Sequence, residues 1–452
     1  MTSPATHLMT ELRQLWRLAL PIAISQAGYA LMGLVDTAVV GRLGAGPLGA
    51  IGLANGLFFG MAVIGLGTMF GLDPLFAQAL GAGDTRRARE LVWQGLWQSA
   101  AVTLALALPI SALPLLLEPA GIAPRIAHDA SWFLWLRLPG LWPMLAFAAL
   151  RSYLQAAHVV RPVVIATVAA NIANLLLDIW FVFGGLGVPA LGAPGAGLAT
   201  SICALLQFVI LALAVRTGPD VSRRLSAGDL RKAVLLGLPI GLQLGAEVGV
   251  FALVGLLAGR LGALSLAAHQ VAISLASFTF CAAVGAGMAG SVRVGRAIGA
   301  RDTPAARRSG MLAFALGAAI MSVFALAFWL APEALARMLS DQPEVISASV
   351  PLLAVCAVFQ LSDGIQGVGA GVLRGAGDTR YPFFANLIGH YAIGLPVAII
   401  LGIFLGQGVI GLWWGLCAGL TAVAVALLTR FLRLSAREIM PLEHHPQVPF
   451  QP

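Results

Sequence analysis

The sequence predicts an all-α membrane protein in which twelve transmembrane helices form two six-helix bundles, related by a pseudo-twofold axis along the membrane normal. Three observations predict it. The chain of 452 residues is 59% hydrophobic and only 10% charged, with a mean hydropathy of +0.91. A water-soluble domain has no interior large enough to hide that much apolar surface. Residues 20–89 match residues 238–307 without a gap at a constant offset of 218. The shared letters include Leu20-Pro21 with Leu238-Pro239, and Gly41-Arg42-Leu43-Gly44-Ala45 with Gly259-Arg260-Leu261-Gly262-Ala263. Ala79, Gly81, Ala82, Asp84 and Thr85 likewise return as Ala297, Gly299, Ala300, Asp302 and Thr303. Such duplication is a common build of secondary transporters, because two similar bundles can rock against each other around a shared central site. The third observation is a set of twelve apolar stretches, each near the ~20 residues needed to cross a bilayer.

In chain order the stretches fall at 13–40, 48–77, 88–116, 130–156, 162–184, 195–216, 230–258, 264–292, 305–332, 346–373, 381–405 and 409–433. The first continues too far into repeat sequence to read as a cleaved leader. The breaks between stretches carry the charges. Arg86, Arg87 and Arg89, then Arg161, then Arg223, Arg224, Arg231 and Lys232, then Arg301, Arg307 and Arg308, then Arg380, then Arg430, Arg433 and Arg437 all fall on alternate connections. That side is predicted to be cytoplasmic, with both termini inside. Opposite it stand Arg42, Arg125, Arg260 and Arg337 with the acids Glu118, Asp129, Glu333, Asp341 and Glu344. The net charge of +8 is therefore distributed as a topology signal and not as one face for nucleic acid. Six helices per repeat is an even number, so both copies enter the membrane the same way round. The expected division is an N-terminal lobe over 1–216, a polar interlobe linker over 217–228, a C-terminal lobe over 229–433 and a cytoplasmic tail over 434–452. Pro21 and Pro239 at equivalent places, with Pro74, Pro139, Pro143, Pro351 and Pro396, predict helix kinks.

A charge at mid-membrane costs at least ~2.5 to 3.5 kcal/mol by insertion scales, so each one asks for a partner or a role. Five acids qualify: Asp36, Asp73, Asp178, Glu247 and Asp363. Asp73 precedes Pro74 near the cytoplasmic end, where it reads as the cap of a helix break. Counting from flanking arginines at ~1.5 Å per residue puts Asp36 and Asp178 in the outer half of the first lobe. The same count puts Glu247 and Asp363 near the midplane of the second. Asp36 aligns with Val254 in the repeat and Glu247 with Tyr29, so the scaffold was duplicated and these carboxylates were not. These four are the candidate ion-coupling residues. Polar residues expected to share their sites or the cavity are Gln26, Tyr29, Asn55, Asn171 and Asn174 in the first lobe, and Gln243, Gln270 and Gln360 in the second. Asn174 and Asp178 stand four apart and so share a helix face. Carboxylates in apolar surroundings can exchange protons near neutral pH, and paired carboxylates with amide and carbonyl oxygens can form a hard-cation site. Na⁺ at Glu247 and Asp363 is thus one expectation and H⁺ another.

These residues resemble the multidrug and toxic compound extrusion (MATE) family, nearest its NorM branch, over nearly the whole chain. Val35-Asp36-Thr37 before Gly41-Arg42-Leu43-Gly44 is similar to the family's first helix and its exit. Ala77-Gln78-Ala79-Leu80-Gly81-Ala82-Gly83-Asp84 resembles the turn after its second, and Ala267-Ala268-His269-Gln270 its eighth. Glu247-Val248, and Gln360-Leu361-Ser362-Asp363-Gly364-Ile365-Gln366 leading to Leu373-Arg374-Gly375, are similar to the segments carrying the NorM cation-site acids. The resemblance implies a cation-site role for Glu247 and Asp363 and an N-lobe coupling role for Asp36. Asn174 to Asp178 departs from some NorM members and looks more like the proton-linked site of the DinF branch. The implied function is an inner-membrane, multi-pass antiporter that acts as a monomer. It would export amphipathic, cationic organic compounds or drugs from a V-shaped cavity in exchange for Na⁺ or H⁺, with no cofactor.

The alternative is a lipid-linked precursor flippase of the same superfamily, for which Arg137 and Arg151 would have to hold a pyrophosphate. An enzyme is not expected: the apolar stretches hold no paired His, no Asp-rich diphosphate motif and no Gly-x-Ser-x-Gly. Cys203, Cys281, Cys356 and Cys417 are scattered one per helix and read as small core residues. His444 and His445 sit in a Pro-rich tail that reads as solvated.

Overall fold

A computed structural model describes residues 4–185, 187–215 and 221–443. Among them, twelve helices are long and apolar enough to cross a membrane. They are α1 (Met9–Gly41), α2 (Gly46–Gly81), α3 (Thr85–Leu117), α4 (Pro124–Ala156), α5 (Arg161–Phe183), α6 (Ala193–Ala214), α7 (Ala227–Arg260), α8 (Ala263–Gly299), α9 (Thr303–Leu330), α10 (Pro343–Gly375), α11 (Arg380–Phe404) and α12 (Gly408–Leu434). The only extended pairing among the described residues is an isolated bridge between Gly185 and Val188. Helix α8 continues past its expected end at residue 292. Arg293, which reads as a terminating charge, is held by Glu11 at 3.5 Å and by the Gln14 amide oxygen at 3.2 Å, so the helix carries it onward.

The repeat is visible in how helices begin. Asp84 accepts a hydrogen bond from Arg87 N at 2.8 Å and caps α3, and its repeat partner Asp302 accepts from Ala305 N at 2.9 Å and caps α9. Proline and glycine set the breaks. Helix α2 is interrupted at Phe70–Gly71, and Asp73 lies in the first turn of the segment that resumes at Leu72, where an acid suits the helix dipole. Helix α4 narrows to a 3₁₀ turn over Leu138–Gly140 at Pro139. Helix α11 widens to π-helical turns over Ile388–Gly394 and Ile400–Phe404, with Gly389 and Gly394 seated against the α12 backbone at Gly419.

The helices fall into two compact units. The N-unit comprises Ala27–Phe76 and Asp84–Gly241; the C-unit comprises the described residues up to Gln26, Ala77–Gly83, and those from Leu242 on. The divisions cut α1, α2 and α7 instead of falling in the segment 217–228, of which 217–220 lie outside the described residues. Within the N-unit the start of α7 lies directly on α2: a Cβ at Gly67 would come 2.5 Å from Gly241 Cα, and one at Gly237 would fall on the Thr68 carbonyl oxygen. Arg87 of α3 donates to Asp229 at 2.9 Å, and Gln94 receives Ser226 N at 2.9 Å while donating to the Arg224 carbonyl at 2.7 Å. Within the C-unit the start of α1 lies on α8, where a Cβ at Gly285 would come 2.7 Å from Ala23 Cβ. The offset of 218 relates Gly67 to Gly285 and Gly241 to Ala23, so both contacts are one contact duplicated. The segment after α12 folds back: Leu442 N donates to Gln78 Oε1 at 2.7 Å and Ile439 N to Thr303 Oγ1 at 3.2 Å. His444 and His445 lie outside the described residues.

Candidate functional site: two buried carboxylate clusters

In the N-unit, α1, α5 and α6 bring their isolated polar residues together. Asp36 is 2% exposed, and each of its carboxyl oxygens has one neutral donor: Asn174 Nδ2 at 2.9 Å on Oδ1 and Thr200 Oγ1 at 3.1 Å on Oδ2. Thr200 Oγ1 is also 2.9 Å from the Ala196 carbonyl, so its single proton is shared. Asp178, one turn beyond Asn174 on α5, is fully buried and interacts electrostatically with Asp36 and with Arg137 of α4. Neither Asp178 oxygen, nor Asn174 Oδ1, has a hydrogen-bond donor among the described residues. Arg137 lies at the α4 break, its guanidinium 4.9 Å from the centroid of Phe58. The break frees the Leu136 and Arg137 carbonyls, which Ser201 Oγ of α6 meets at 2.7 and 3.1 Å. Tyr29 donates to Gln207 Oε1 at 3.3 Å and faces Phe147.

In the C-unit, Glu247 of α7 and Asp363 of α10 are both buried and interact electrostatically. Gln366 Nε2 donates to Glu247 Oε2 at 3.3 Å and to Asn386 Oδ1 of α11 at 3.1 Å, while Asn386 Nδ2 donates to the Pro382 carbonyl at 2.9 Å. Asp363 receives no hydrogen bond from any described residue, and Gln243 is buried one turn before Glu247. Gln360 and Thr279 exchange a hydrogen bond at 2.8 Å one turn before Asp363. No three His, Cys, Asp or Glu side chains converge among the described residues, so a cation at Glu247 and Asp363 would need amide and hydroxyl oxygens to complete its shell.

Not every expected partner joins a cluster. Gln270 is exposed and, among the described residues, its side chain reaches only Ser274 on its own helix, at 3.4 Å. Asn171 donates to the Thr167 carbonyl one turn back, and the partly buried Asn55 side chain has no hydrogen bond to another described residue. Gln26 is partly buried and falls in the C-unit, apart from the N-unit residues with which it was grouped. Thr200, Gln366 and Asn386 are further members of the two clusters that the sequence reading does not include. Gln366 stands three residues after Asp363 and so shares its helix face, which is the signal that could have found it.

The MatE family profile matches residues 21–180 and 239–400, two segments whose starts are again 218 apart. The chain belongs to the MATE family. It is 37% identical over 450 residues to the probable multidrug resistance protein NorM of Bradyrhizobium diazoefficiens, covering 96% of each chain. It is 35% identical over 447 residues to the corresponding protein of Mesorhizobium japonicum, covering 95% of this chain and 96% of that one. In fold it is similar to the crystal structure of a MATE protein in complex with MaD3S, with a TM-score of 0.86 at 20% identity over 96% of this chain and 99% of that one. The eukaryotic MATE transporter AtDTX14 gives 0.84 at 22% identity, over 96% and 100%. These relatives are transporters and not enzymes.

Proposed function

We propose that this MATE-family chain is a secondary active multidrug efflux antiporter of the cytoplasmic membrane, working as a monomer with both termini inside. It exports amphipathic, cationic organic compounds and takes up Na⁺ or H⁺ in exchange. The observation that carries the reading is the pair of separate buried carboxylate clusters, Asp36 with Asp178 and Glu247 with Asp363, set in otherwise apolar helices. An anionic carboxylate attracts a cationic drug, and the same carboxylate loses that attraction once it holds a proton or a metal ion. Ion binding and drug binding therefore oppose each other through a coupling free energy that acts in both directions. The named multidrug resistance relatives support the substrate class.

The flippase alternative draws no support from the arginines it needs. Asp36 and Asp178 act electrostatically on Arg137, and Arg151 is buried with its guanidinium 5.3 Å from the Phe70 centroid, which speaks against either holding a pyrophosphate. The test is efflux of a fluorescent cationic dye from proteoliposomes under an imposed Na⁺ gradient or an imposed pH gradient, one at a time. Drive by either gradient supports antiport, and transport under neither overturns it.

A further inference from the structure

In the N-unit, helix α3 presents an exposed apolar stripe of Trp97, Leu104 and Leu108, spaced by seven and four so that they share one side of the helix. No charged residue stands between Glu90 and Glu118. Counting back from Leu117, the end of α3, by the ~20 residues that cross the hydrocarbon brings the membrane edge to Trp97. A half-exposed tryptophan at that depth belongs to the interfacial belt.

Against this edge, three α3 side chains fix the segment that leads into α7. Trp97 Nε1 donates to the Arg223 carbonyl at 3.0 Å, and Gln94 Nε2 donates to the Arg224 carbonyl at 2.7 Å. Gln94 Oε1 also accepts from Ser226 N at 2.9 Å, and the Arg223 guanidinium lies 4.9 Å from the Trp93 ring centroid. The backbone of Arg223 and Arg224 is thereby held at the level of the Trp97 indole, with both side chains exposed. Leu225, which follows them, is apolar and yet 54% exposed. The nearby acids are engaged elsewhere, Glu90 by Arg86 at 3.2 Å and Asp229 by Arg87 at 2.9 Å. Among the described residues no acid pairs with Arg223 or Arg224. Residues 217–232 as a whole carry four basic side chains against two acids.

We infer that Arg223, Arg224 and Trp97 form a binding site for an anionic phospholipid, whose phosphodiester meets the two guanidiniums while its acyl chains lie along the α3 stripe. Adjacent guanidiniums suit a phosphodiester, which can accept from both. A soluble phosphate could use the arginines but has nothing to lay on Leu225, Trp97 and the leucines beyond. Phosphatidylcholine brings its own ammonium, which two uncompensated cations repel, whereas phosphatidylglycerol brings a net negative charge. Because Trp97 and Gln94 already fix the backbone, binding has only side chains left to order. The inference is independent of the transported ion and drug.

The test is tryptophan fluorescence of the full-length chain in phosphatidylcholine vesicles that carry a minor share of lipid brominated on its acyl chains. In the wild type, brominated phosphatidylglycerol should quench more than the same share of brominated phosphatidylcholine. Equal quenching overturns the proposal without need of any variant. Trp97→Phe should remove much of the excess. Arg223→Gln/Arg224→Gln should lower the preference for the anionic lipid by roughly fivefold per arginine. An excess that survives unchanged in the double glutamine variant overturns the proposal. Loss of the wild-type excess on adding inorganic phosphate at constant ionic strength would assign the arginines to a soluble anion and overturn it equally.

Discussion

Asp36 shows how much of a site can rest on neutral groups. Its carboxyl is shut off from solvent and held by one amide and one hydroxyl, so each donor carries a large share of its solvation. Thr200→Val leaves one buried oxygen without a donor, a loss of about 1 to 3 kcal/mol. Dye efflux driven by the pH gradient should slow about fivefold or more, while Thr200→Ser, which keeps the hydroxyl, should stay near wild type. In the C-unit, Glu247→Gln should abolish efflux at unchanged Tm, and normal efflux would remove Glu247 from the coupling role. The four acids and Asn174 were legible in the sequence because a charge or an amide in an apolar stretch is rare, and because Asn174 and Asp178 share a face by spacing alone. Thr200 and Asn386 were less legible. A hydroxyl or amide can satisfy itself within its own helix, as Asn171 does on Thr167, and only the packing of α6 on α1 and of α11 on α10 tells the two cases apart.

Among the elements, duplication preserved turn geometry but not every letter. The turn before α3 has Gly83 at φ 78°, and the equivalent turn before α9 has Arg301 at φ 57°. A left-handed conformation costs a side-chain-bearing residue roughly 1 kcal/mol or more, whereas glycine adopts it freely. Arg301→Gly should therefore raise the thermal midpoint of the detergent-solubilised chain. Removing the cap that follows, by Asp302→Ala or Asp84→Ala, should lower it by the equivalent of about 1 kcal/mol each. Scanning fluorimetry reads both, and equal shifts of the same sign for Arg301→Gly and Asp302→Ala would contradict the assignment. The helices themselves were placed by length and hydropathy to within a few residues, apart from the start of α4 and the end of α8. The extension of α8 past residue 292 depends on Glu11 and Gln14, which are distant in sequence. The π-helical turns of α11 had no such signature. Pro396 announces a disturbance, but the widening depends on how Gly389 and Gly394 meet α12.

Across the whole molecule the repeat works through backbone contact. Two copies of one interface, α7 on α2 in the N-unit and α1 on α8 in the C-unit, rely on residues too small to hold the helices apart. The sequence displayed those glycines and their register but not which neighbour each would face. The repeat alone would equally permit every helix to pack within its own half, whereas α1 and α7 are each divided between units. The glycines of α2 make the point testable within one helix. Gly56 has no atom within 4 Å of where a Cβ would stand, while a Cβ at Gly67 would meet Gly241 Cα at 2.5 Å and Gly241 N at 2.7 Å. At Gly56 alanine gains helix propensity of about 1 kcal/mol with nothing to displace. At Gly67 the same methyl meets main chain, which cannot rotate away as a side chain would, and overpacking of that kind costs typically 1 to 3 kcal/mol. Gly56→Ala should then raise or preserve the thermal midpoint and Gly67→Ala should lower it. The equivalent change in the other copy, Gly285→Ala, should lower it as well, because a Cβ there would meet the Cβ of Ala23 at 2.7 Å and the Ala19 carbonyl oxygen at 2.8 Å, neither of which can rotate away. If Gly67→Ala proved as well tolerated as Gly56→Ala, the close approach of α7 to α2 would not be what holds the N-unit together.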